Sequence, residues 1–260
     1  MVFDKNPGLF YLTPCRGLVG DRCRGSHPRQ YIPDSIMESQ VFHILNRGVE
    51  KRKVFLTEED YLRFVNNLRD FNDKKATILS YYRRSKPNSR ITLVGDRIAD
   101  KLVDILCWCL MPNHFHSLAQ EKLDRGASKF TKKITGGYTT YFNIKNKRSG
   151  VLFQGRSKII RVKRDPHFFY LPFYIFSNPI ELIEPHWKEQ GIRDLDKVIS
   201  FLENYKYSAF SDLTGKENFP SVINKNLFYE LFDTNPEKFK KDFIDWLKDY
   251  KGRGFENFGD

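Results

Sequence analysis

The chain has 260 residues, 15% of them aromatic, and this composition argues against a disordered protein. No apolar run approaches the roughly 18 residues of a membrane span, and no charged-then-apolar leader opens the sequence, so we expect a cytoplasmic protein. The net charge of +12, with a pI near 9.4, favours an anionic binding partner.

The first part of the chain predicts an arm followed by a folded domain. Residues 1–36 have little periodicity and many Gly, Pro and Arg residues, and we interpret them as an irregular, disordered arm. We expect the domain to cover 37–188 and to open with a strand at 41–45. Thr57 and the acids after it predict a helix start. Residues 82–100 are polar and are interpreted as an insertion.

The middle of the chain predicts a hairpin and a second helix. Strands are expected near 102–110 and 114–120, and the cysteines at 107 and 109 are interpreted as buried reduced thiols. Aromatic and apolar residues recur at a spacing of four over 130–142, which predicts a helix interrupted by Gly136 and Gly137. Residues 151–162 are expected to be extended.

Asp165 and Pro166 predict the cap and first turn of a third helix, which Pro179 stops after Asn178. Helical patterns at 195–206 and 236–250 then predict a C-terminal helical extension over 189–260. The order β-α-β-β-α-β-α predicts an α+β fold, with a small antiparallel sheet and helices packed on one face.

The stretch Met111-Pro112-Asn113-His114-Phe115-His116 holds the most informative pattern. Residues i and i+2 of a strand share a face, so His114 and His116 would point one way and Phe115 the other. Two adjacent imidazoles are a candidate half of a metal site. The alternative is two polar residues on one sheet face.

The positive charge is concentrated in one segment. Between Asp124 and Asp165 there is no acid, and the twelve basic residues there equal the whole net charge. Such a segment, with aromatics beside it, favours nucleic-acid binding over the alternative of a solvated basic face.

The predicted third helix carries Tyr170, Tyr174 and Asn178 at steps of four, on one helical face. Two imidazoles and an amide oxygen would hold a divalent ion, and a phenol one turn away would be a nucleophile. The alternative is that Tyr174 is one more packed aromatic. Tyr138 and Tyr141 are rival nucleophiles but sit at core spacing.

Four segments in this order resemble a known family. They are Asn46-Arg47-Gly48, Cys109 to His116, Leu152-Phe153-Gln154-Gly155-Arg156, and Tyr174-Ile175-Phe176-Ser177-Asn178-Pro179. They look like the single-tyrosine HUH (His-hydrophobic-His) transposases of insertion sequences, and most closely the REP-associated tyrosine transposases. The resemblance covers roughly residues 40–185.

The resemblance implies a ferredoxin-like fold, a bacterial host, and DNA transposition and recombination by an enzyme associated with the nucleoid. It implies that His114, His116 and Asn178 ligate Mg²⁺ or Mn²⁺ and that Tyr174 cleaves single-stranded DNA near hairpins. The product would be a 5′-phosphotyrosyl enzyme and a free 3′-hydroxyl, which permits rejoining. Monomer and homodimer are both left open.

The residues predicted to contact single-stranded or hairpin DNA come mainly from the basic segment. They are Arg156, Lys158, Arg161 and Lys163, then Lys132 and Lys133, together with Arg47 of the first motif. Two features depart from the family pattern. Pro172 lies inside the tyrosine helix and favours a kink, and Glu181 stands where relatives usually carry Arg or Lys. They motivate one alternative, a catalytically silent hairpin-binding protein. The other alternative is a phosphodiesterase that uses a metal-activated water.

Overall fold

A computed structural model of the chain describes residues 40–74, 100–162 and 166–250. The predictions of an arm at 1–36 and of an insertion at 82–100 fall outside these residues, apart from Asp100. The strands are β1 (Val41–Arg47), β2 (Val103–Met111), β3 (His114–Glu121) and β4 (Lys158–Arg161). The helices are α1 (Glu58–Asp70), α2 (Gly126–Lys145), α3 (Pro166–Ser177), α4 (Trp187–Gln190), α5 (Leu195–Asn204), α6 (Phe210–Leu213), α7 (Lys225–Phe232) and α8 (Pro236–Asp249).

The strands form one sheet in the order β2-β3-β1-β4, and every neighbouring pair is antiparallel. The chain passes through β1, α1, β2, β3, α2 and β4 in turn, which is the ferredoxin-like βαββαβ arrangement. The predicted α+β class and antiparallel sheet are confirmed. β1 and β3 are the two inner strands, so residues on them are held on both sides by backbone hydrogen bonds.

Helices α1 and α2 pack on the face of the sheet to which Phe115 points. Phe115 meets Phe64 of α1 at 4.9 Å between ring centroids, and Phe64 meets Tyr138 of α2 at 5.2 Å. The two connecting helices therefore share one face, as predicted. The opposite face, to which the histidines point, is covered by α3, which contacts both β2 and β3.

The start of α1 follows the capping signal in the sequence. The buried Asp60 carboxylate accepts the backbone N–H groups of Leu56 at 2.9 Å and Thr57 at 3.0 Å, and the ammonium of Lys145 lies 2.6 Å from it. Burial alone would raise the pKa of Asp60. The lysine and the two N–H groups outweigh burial and hold that pKa below its usual value.

The predicted interruption of the second helix is wrong, because α2 runs unbroken from Gly126 to Lys145 through both glycines. A Cβ at Gly137 would lie 2.4 Å from the Phe71 ring, whereas a Cβ at Gly136 would meet nothing within 4 Å. Gly137 therefore serves close packing between α1 and α2, not a break.

Helix α3 also remains helical through Pro172, to Ser177. Its outer side is held by aromatic residues of the C-terminal helices. Phe173 lies 5.4 Å from Phe239 and 5.5 Å from Phe243, and Phe168 stacks on Phe232 at 4.6 Å. These contacts pack α3 against the C-terminal helices around Pro172, which cannot donate a backbone hydrogen bond.

Beyond α3, the predicted helices at 195–206 and 236–250 are confirmed as α5 and α8, and Asn235 caps α8 as expected. The short helices α4, α6 and α7 were not predicted. Of the stretch 151–162 expected to be extended, only Lys158–Arg161 forms a strand. Backbone bonds from Leu110 N–H to the Tyr207 carbonyl (2.8 Å) and from Ala209 N–H to the Trp108 carbonyl (3.0 Å) cover the outer edge of β2.

Cys107 and Cys109 are buried on β2 as free thiols, which confirms their interpretation, and burial raises the pKa of both. No helix in the described part of the chain combines the length and apolar character needed to cross a membrane.

Candidate active site

The two histidines of the Pro-Asn-His-Phe-His segment lie at the start of β3 and share one face, as the alternation predicts. In the register of the sheet, His114 is paired with Arg47 of β1 and His116 with Leu45. Their rings are 5.0 Å apart and almost perpendicular. Phe115, on the opposite face, is fully buried and anchors the segment in the core.

Hydrogen bonds define the orientation of the two imidazoles. The Nδ1 of His114 lies 2.6 Å from the Oδ1 of Asn113, whose Nδ2 in turn donates to the Lys51 carbonyl at 3.3 Å. The Nδ1 of His116 lies 2.9 Å from the Nε2 of His43 on β1. The Nε2 of His116 is buried and has no hydrogen-bond partner within the described residues.

The environment of His116 favours a neutral ring. Burial lowers the pKa of His116 well below 6.5, and the nearby imidazoles of His114 and His43 and the charges of Lys188 and Arg47 add to that effect. A neutral imidazole is the form that binds a metal ion.

Tyr174 of α3 lies against this cluster. Its ring is 5.6 Å from the His116 ring and 6.3 Å from the His43 ring, edge to face in both cases. The side chain is only 4% exposed. The ammonium of Lys188, on α4, lies 5.4 Å from the centre of the Tyr174 ring. The predicted nucleophile and the two histidines thus lie together across the boundary between sheet and helix.

Asn178 is buried one turn after Tyr174, at the start of a 3-10 helix (Asn178–Leu182) that packs against β2. Its side-chain nitrogen donates to the carbonyls of Tyr174 at 2.8 Å and Ile175 at 3.3 Å. Because the nitrogen donates to carbonyls of α3, the amide oxygen is the atom that can coordinate a metal ion or accept a hydrogen bond.

A divalent ion fits part of this arrangement. The buried Nε2 of His116 is a nitrogen without a partner among the described residues, and an amide oxygen suits a hard cation. The described residues contain no group of three or more His, Cys, Asp or Glu that could hold a metal ion. An ion at the two imidazoles would therefore take its remaining ligands from an amide, phosphate or water.

Backbone hydrogen bonds join three of the four motifs at one end of the sheet. Gly48 N–H donates to the Asn113 carbonyl at 2.7 Å, and Gln154 N–H donates to the Arg47 carbonyl at 2.7 Å. A Cβ at Gly48 would lie 2.3 Å from the Arg52 carbonyl oxygen, so only glycine fits this close approach. Segments about 60 and 100 residues apart in sequence therefore form one local structure.

A cleft of about 340 Å³ opens beside His114. It is lined by Leu45, Asn46, Arg47, His114, Gln154, Arg156 and Lys158. Three of these are basic and were predicted to contact DNA. The Nε of Arg47 is buried and makes no hydrogen bond to any described residue, so the cleft presents donors suited to an anion.

Other predicted DNA contacts lie elsewhere. Arg161 is paired with Phe42, whereas Lys158 is paired with Leu45, so Arg161 points to the sheet face opposite the histidines. Lys158 and Arg161 therefore point to opposite faces of the sheet. Lys163 is outside the described residues.

Lys132 and Lys133 belong to α2, on the Phe115 face of the sheet. Lys132 is exposed, and the ammonium of Lys133 donates to the Asp73 carbonyl, so neither reaches the cleft. DNA binding by Arg161, Lys132 and Lys133 stays a prediction.

The rival tyrosines are core residues, as their spacing predicts. The Tyr138 hydroxyl donates to the Val54 carbonyl at 2.6 Å, and the Tyr141 hydroxyl donates to Asp60 at 3.1 Å. Burial raises the pKa of both, to about 12 for Tyr141. Both lie on α2, on the far side of the sheet from the histidines.

Sequence reasoning missed two residues of the site. No local motif marks His43, because its contact with His116 depends on the pairing of β1 with β3, which is not visible in the sequence. Lys188 was not singled out, because a helix of four residues has no periodic pattern.

No family model matches the chain, and no curated protein matches it. Among solved structures, the chain is similar to one described as the REP-associated tyrosine transposase bound to a REP hairpin. The two share 14% identity with a TM-score of 0.40, over 77% of this chain and 92% of the other. At this level of similarity, the function must be inferred from the chain's own residues.

Proposed function

We propose that this protein is a metal-dependent transposase that cleaves and rejoins single-stranded DNA beside hairpins, with Tyr174 as the nucleophile. The observation that carries the proposal is the Tyr174 ring 5.6 Å from His116, in a site whose His114 lines a basic cleft. A phenol, paired imidazoles and a phosphate-binding surface are the parts that such chemistry requires.

His114, His116 and Asn178 would hold Mg²⁺ or Mn²⁺ through two Nε2 atoms and one amide oxygen. Such an ion, when bound, would polarise the scissile phosphate. Arg47, Arg156 and Lys158 would bind the DNA backbone in the cleft and direct it toward His114. Lys188, close to the Tyr174 ring, adds positive charge where negative charge would develop.

In the proposed reaction, the Tyr174 oxygen attacks phosphorus and the bond from phosphorus to the 3′-oxygen breaks. The phenol proton is given up and the departing 3′-oxygen gains one, so the products are a 5′-phosphotyrosine and a 3′-hydroxyl. Attack by a 3′-hydroxyl on the phosphotyrosine reverses these steps and rejoins DNA without ATP. The covalent intermediate preserves the phosphodiester bond energy between the two steps.

The burial of Tyr174 favours a second candidate, a hairpin-binding protein that does not cleave. The residue is only 4% exposed, so a phosphate has little open access to it unless neighbouring groups move. In the transposase proposal, DNA binding moves the groups that cover Tyr174. In the second candidate, Tyr174 stays covered and only the cleft binds DNA.

The test uses single-stranded oligonucleotides that carry hairpins, incubated with the protein and Mn²⁺ and separated on denaturing gels. We expect a covalent adduct that Tyr174→Phe abolishes. Tyr170→Phe is the matched control, because Tyr170 lies one turn earlier on the same helix, and it should leave the adduct intact. An adduct that persists in Tyr174→Phe would refute the assigned nucleophile.

The same gels separate the alternatives. Hairpin binding without an adduct across a broad hairpin set would support the non-cleaving protein. Cleavage without an adduct, unaffected by Tyr174→Phe, would support a phosphodiesterase that uses a metal-activated water.

The cleft has its own test in the salt dependence of DNA binding. Alanine at Arg47, Arg156 or Lys158 should reduce the slope of log affinity against log salt by about one for each phosphate that the protein no longer neutralises. Alanine at Lys197, an exposed basic residue that is not among the predicted DNA contacts, is the control and should change the slope less. Equal slopes in all four variants would exclude the cleft as the DNA path.

A further inference from the structure

His43 is buried beside the histidine pair, on the adjacent inner strand. Its Nε2 lies 2.9 Å from the Nδ1 of His116, and the two rings stack at 5.1 Å with 18° between their planes. His43 is 2% exposed and His116 is fully buried. A hydrogen bond between two imidazoles in the core, from strands 73 residues apart in sequence, is a specific arrangement.

The bond fixes where His116 carries its proton. A neutral imidazole has one N–H, so one ring must donate and the other must accept. If His43 donated, the His116 proton would sit on Nε2, as a buried N–H with no partner among the described residues. A buried donor left without a partner destabilises the fold, and a protonated Nε2 has no lone pair with which to bind a metal ion. If His116 donates from Nδ1, its Nε2 carries the lone pair.

His114 provides the comparison. Its Nδ1 faces the Oδ1 of Asn113, and the bond from Asn113 Nδ2 to the Lys51 carbonyl fixes which end of that amide is the oxygen. An amide oxygen only accepts, so His114 must donate from Nδ1. Both histidines of the pair thus have an acceptor behind Nδ1, an oxygen for one and an imidazole nitrogen for the other.

We propose that His43 is a positioning residue, which accepts the Nδ1 proton of His116 and thereby presents the His116 Nε2 lone pair to a divalent ion. This inference rests on the proposed metal-binding role of His114 and His116. His43 acts through His116 and is not itself a ligand, because its Nε2 is engaged with the His116 ring. Groups behind metal-binding imidazoles set tautomer and orientation in this way.

The test measures Mn²⁺ binding by untagged protein, from the loss of the free-ion signal in electron paramagnetic resonance, with no DNA present. His43→Phe keeps a ring but removes the acceptor, and should weaken Mn²⁺ binding by about 10–100-fold. His43→Gln restores an acceptor oxygen and should recover most of that affinity. His186→Phe, at an exposed histidine, is the matched control and should bind Mn²⁺ as the wild type does.

His114→Ala separates failure of this inference from failure of the proposed function. If His114→Ala binds Mn²⁺ as tightly as wild type, the proposed metal site is wrong. If His114→Ala loses binding while His43→Phe retains it, the metal site stands and the role of His43 is overturned.

A second measurement does not depend on the stability of the variants. Long-range proton–nitrogen spectra of wild-type protein with ¹⁵N-labelled histidine report the tautomer of each ring without a metal ion. We expect the His116 proton on Nδ1. A proton on the His116 Nε2 would overturn the inference.

Discussion

The adjacent glycines of α2 allow a prediction whose sign differs between neighbouring residues. Glycine inside a helix costs about 1 kcal/mol relative to alanine. Gly136→Ala adds a Cβ that meets nothing within 4 Å, so the full gain should appear in the free energy of unfolding. At about 2–4 °C per kcal/mol for a chain of this size, the melting temperature should rise by a few degrees.

Gly137→Ala receives the same helical gain but places its Cβ 2.4 Å from Cε2 and 2.9 Å from Cζ of Phe71. Overpacking of this kind costs about 1–3 kcal/mol, so the net effect should range from none to a loss of about 2 kcal/mol. Thermal and urea unfolding of both variants, alone and with Phe71→Leu, would measure the difference. Phe71→Leu removes part of the ring, so it should relieve Gly137→Ala by about 0.5 kcal/mol or more and leave Gly136→Ala unaffected. If both alanines stabilise equally, the close packing of α1 on α2 is wrong.

Three further outcomes are expected. With the other two cysteines replaced by serine, Cys107 and Cys109 should resist thiol reagents until the protein unfolds, because both are buried and their pKa values are raised. Asp60→Asn should cost about 1.5–3 kcal/mol near neutral pH because it removes the charge-assisted hydrogen bond from the partly exposed Lys145. Because folding lowers the pKa of Asp60, its ionised carboxylate stabilises the fold at pH values above the unfolded-state pKa near 3.8. In urea unfolding, the difference in free energy of unfolding between wild type and variant should shrink as the pH falls below that value. Lys188→Met should slow adduct formation at saturating DNA, whereas Lys188→Arg should retain most of the rate. Lys197→Met, at an exposed lysine, is the control and should have no effect. A normal rate in Lys188→Met would exclude a role for the charge of Lys188.

The parts of the fold with local signals were predictable from the sequence. Thr57 with the acids after it located α1, and Asn235 with Pro236 located α8, because capping depends on residues within one turn. The alternation around Phe115 gave the shared face of the two histidines for the same reason. Each of these signals needs no knowledge of the partner element.

The features that were predicted wrongly or missed depend on contacts between residues that are distant in sequence. Gly137 looks like a helix break until Phe71, on another helix, is seen to need the space. Pro172 lies inside α3, which remains helical through it and packs against aromatic residues of the C-terminal helices. His43 joins the site only through the register of β1 on β3, which no local pattern encodes.

The geometry of the site depends on two layers that are fixed independently. The histidines are fixed by the inner strands, whereas Tyr174 is fixed by α3, which touches the sheet on one side and the C-terminal helices on the other. Phe243, fully buried on α8, lies 5.5 Å from Phe173, the residue next to the proposed nucleophile. A change on α8 can therefore shift Tyr174 relative to His116 without touching either residue. Because the proposed chemistry depends on that distance, residues after 189 that carry none of the four motifs help to determine whether the motifs form a working site.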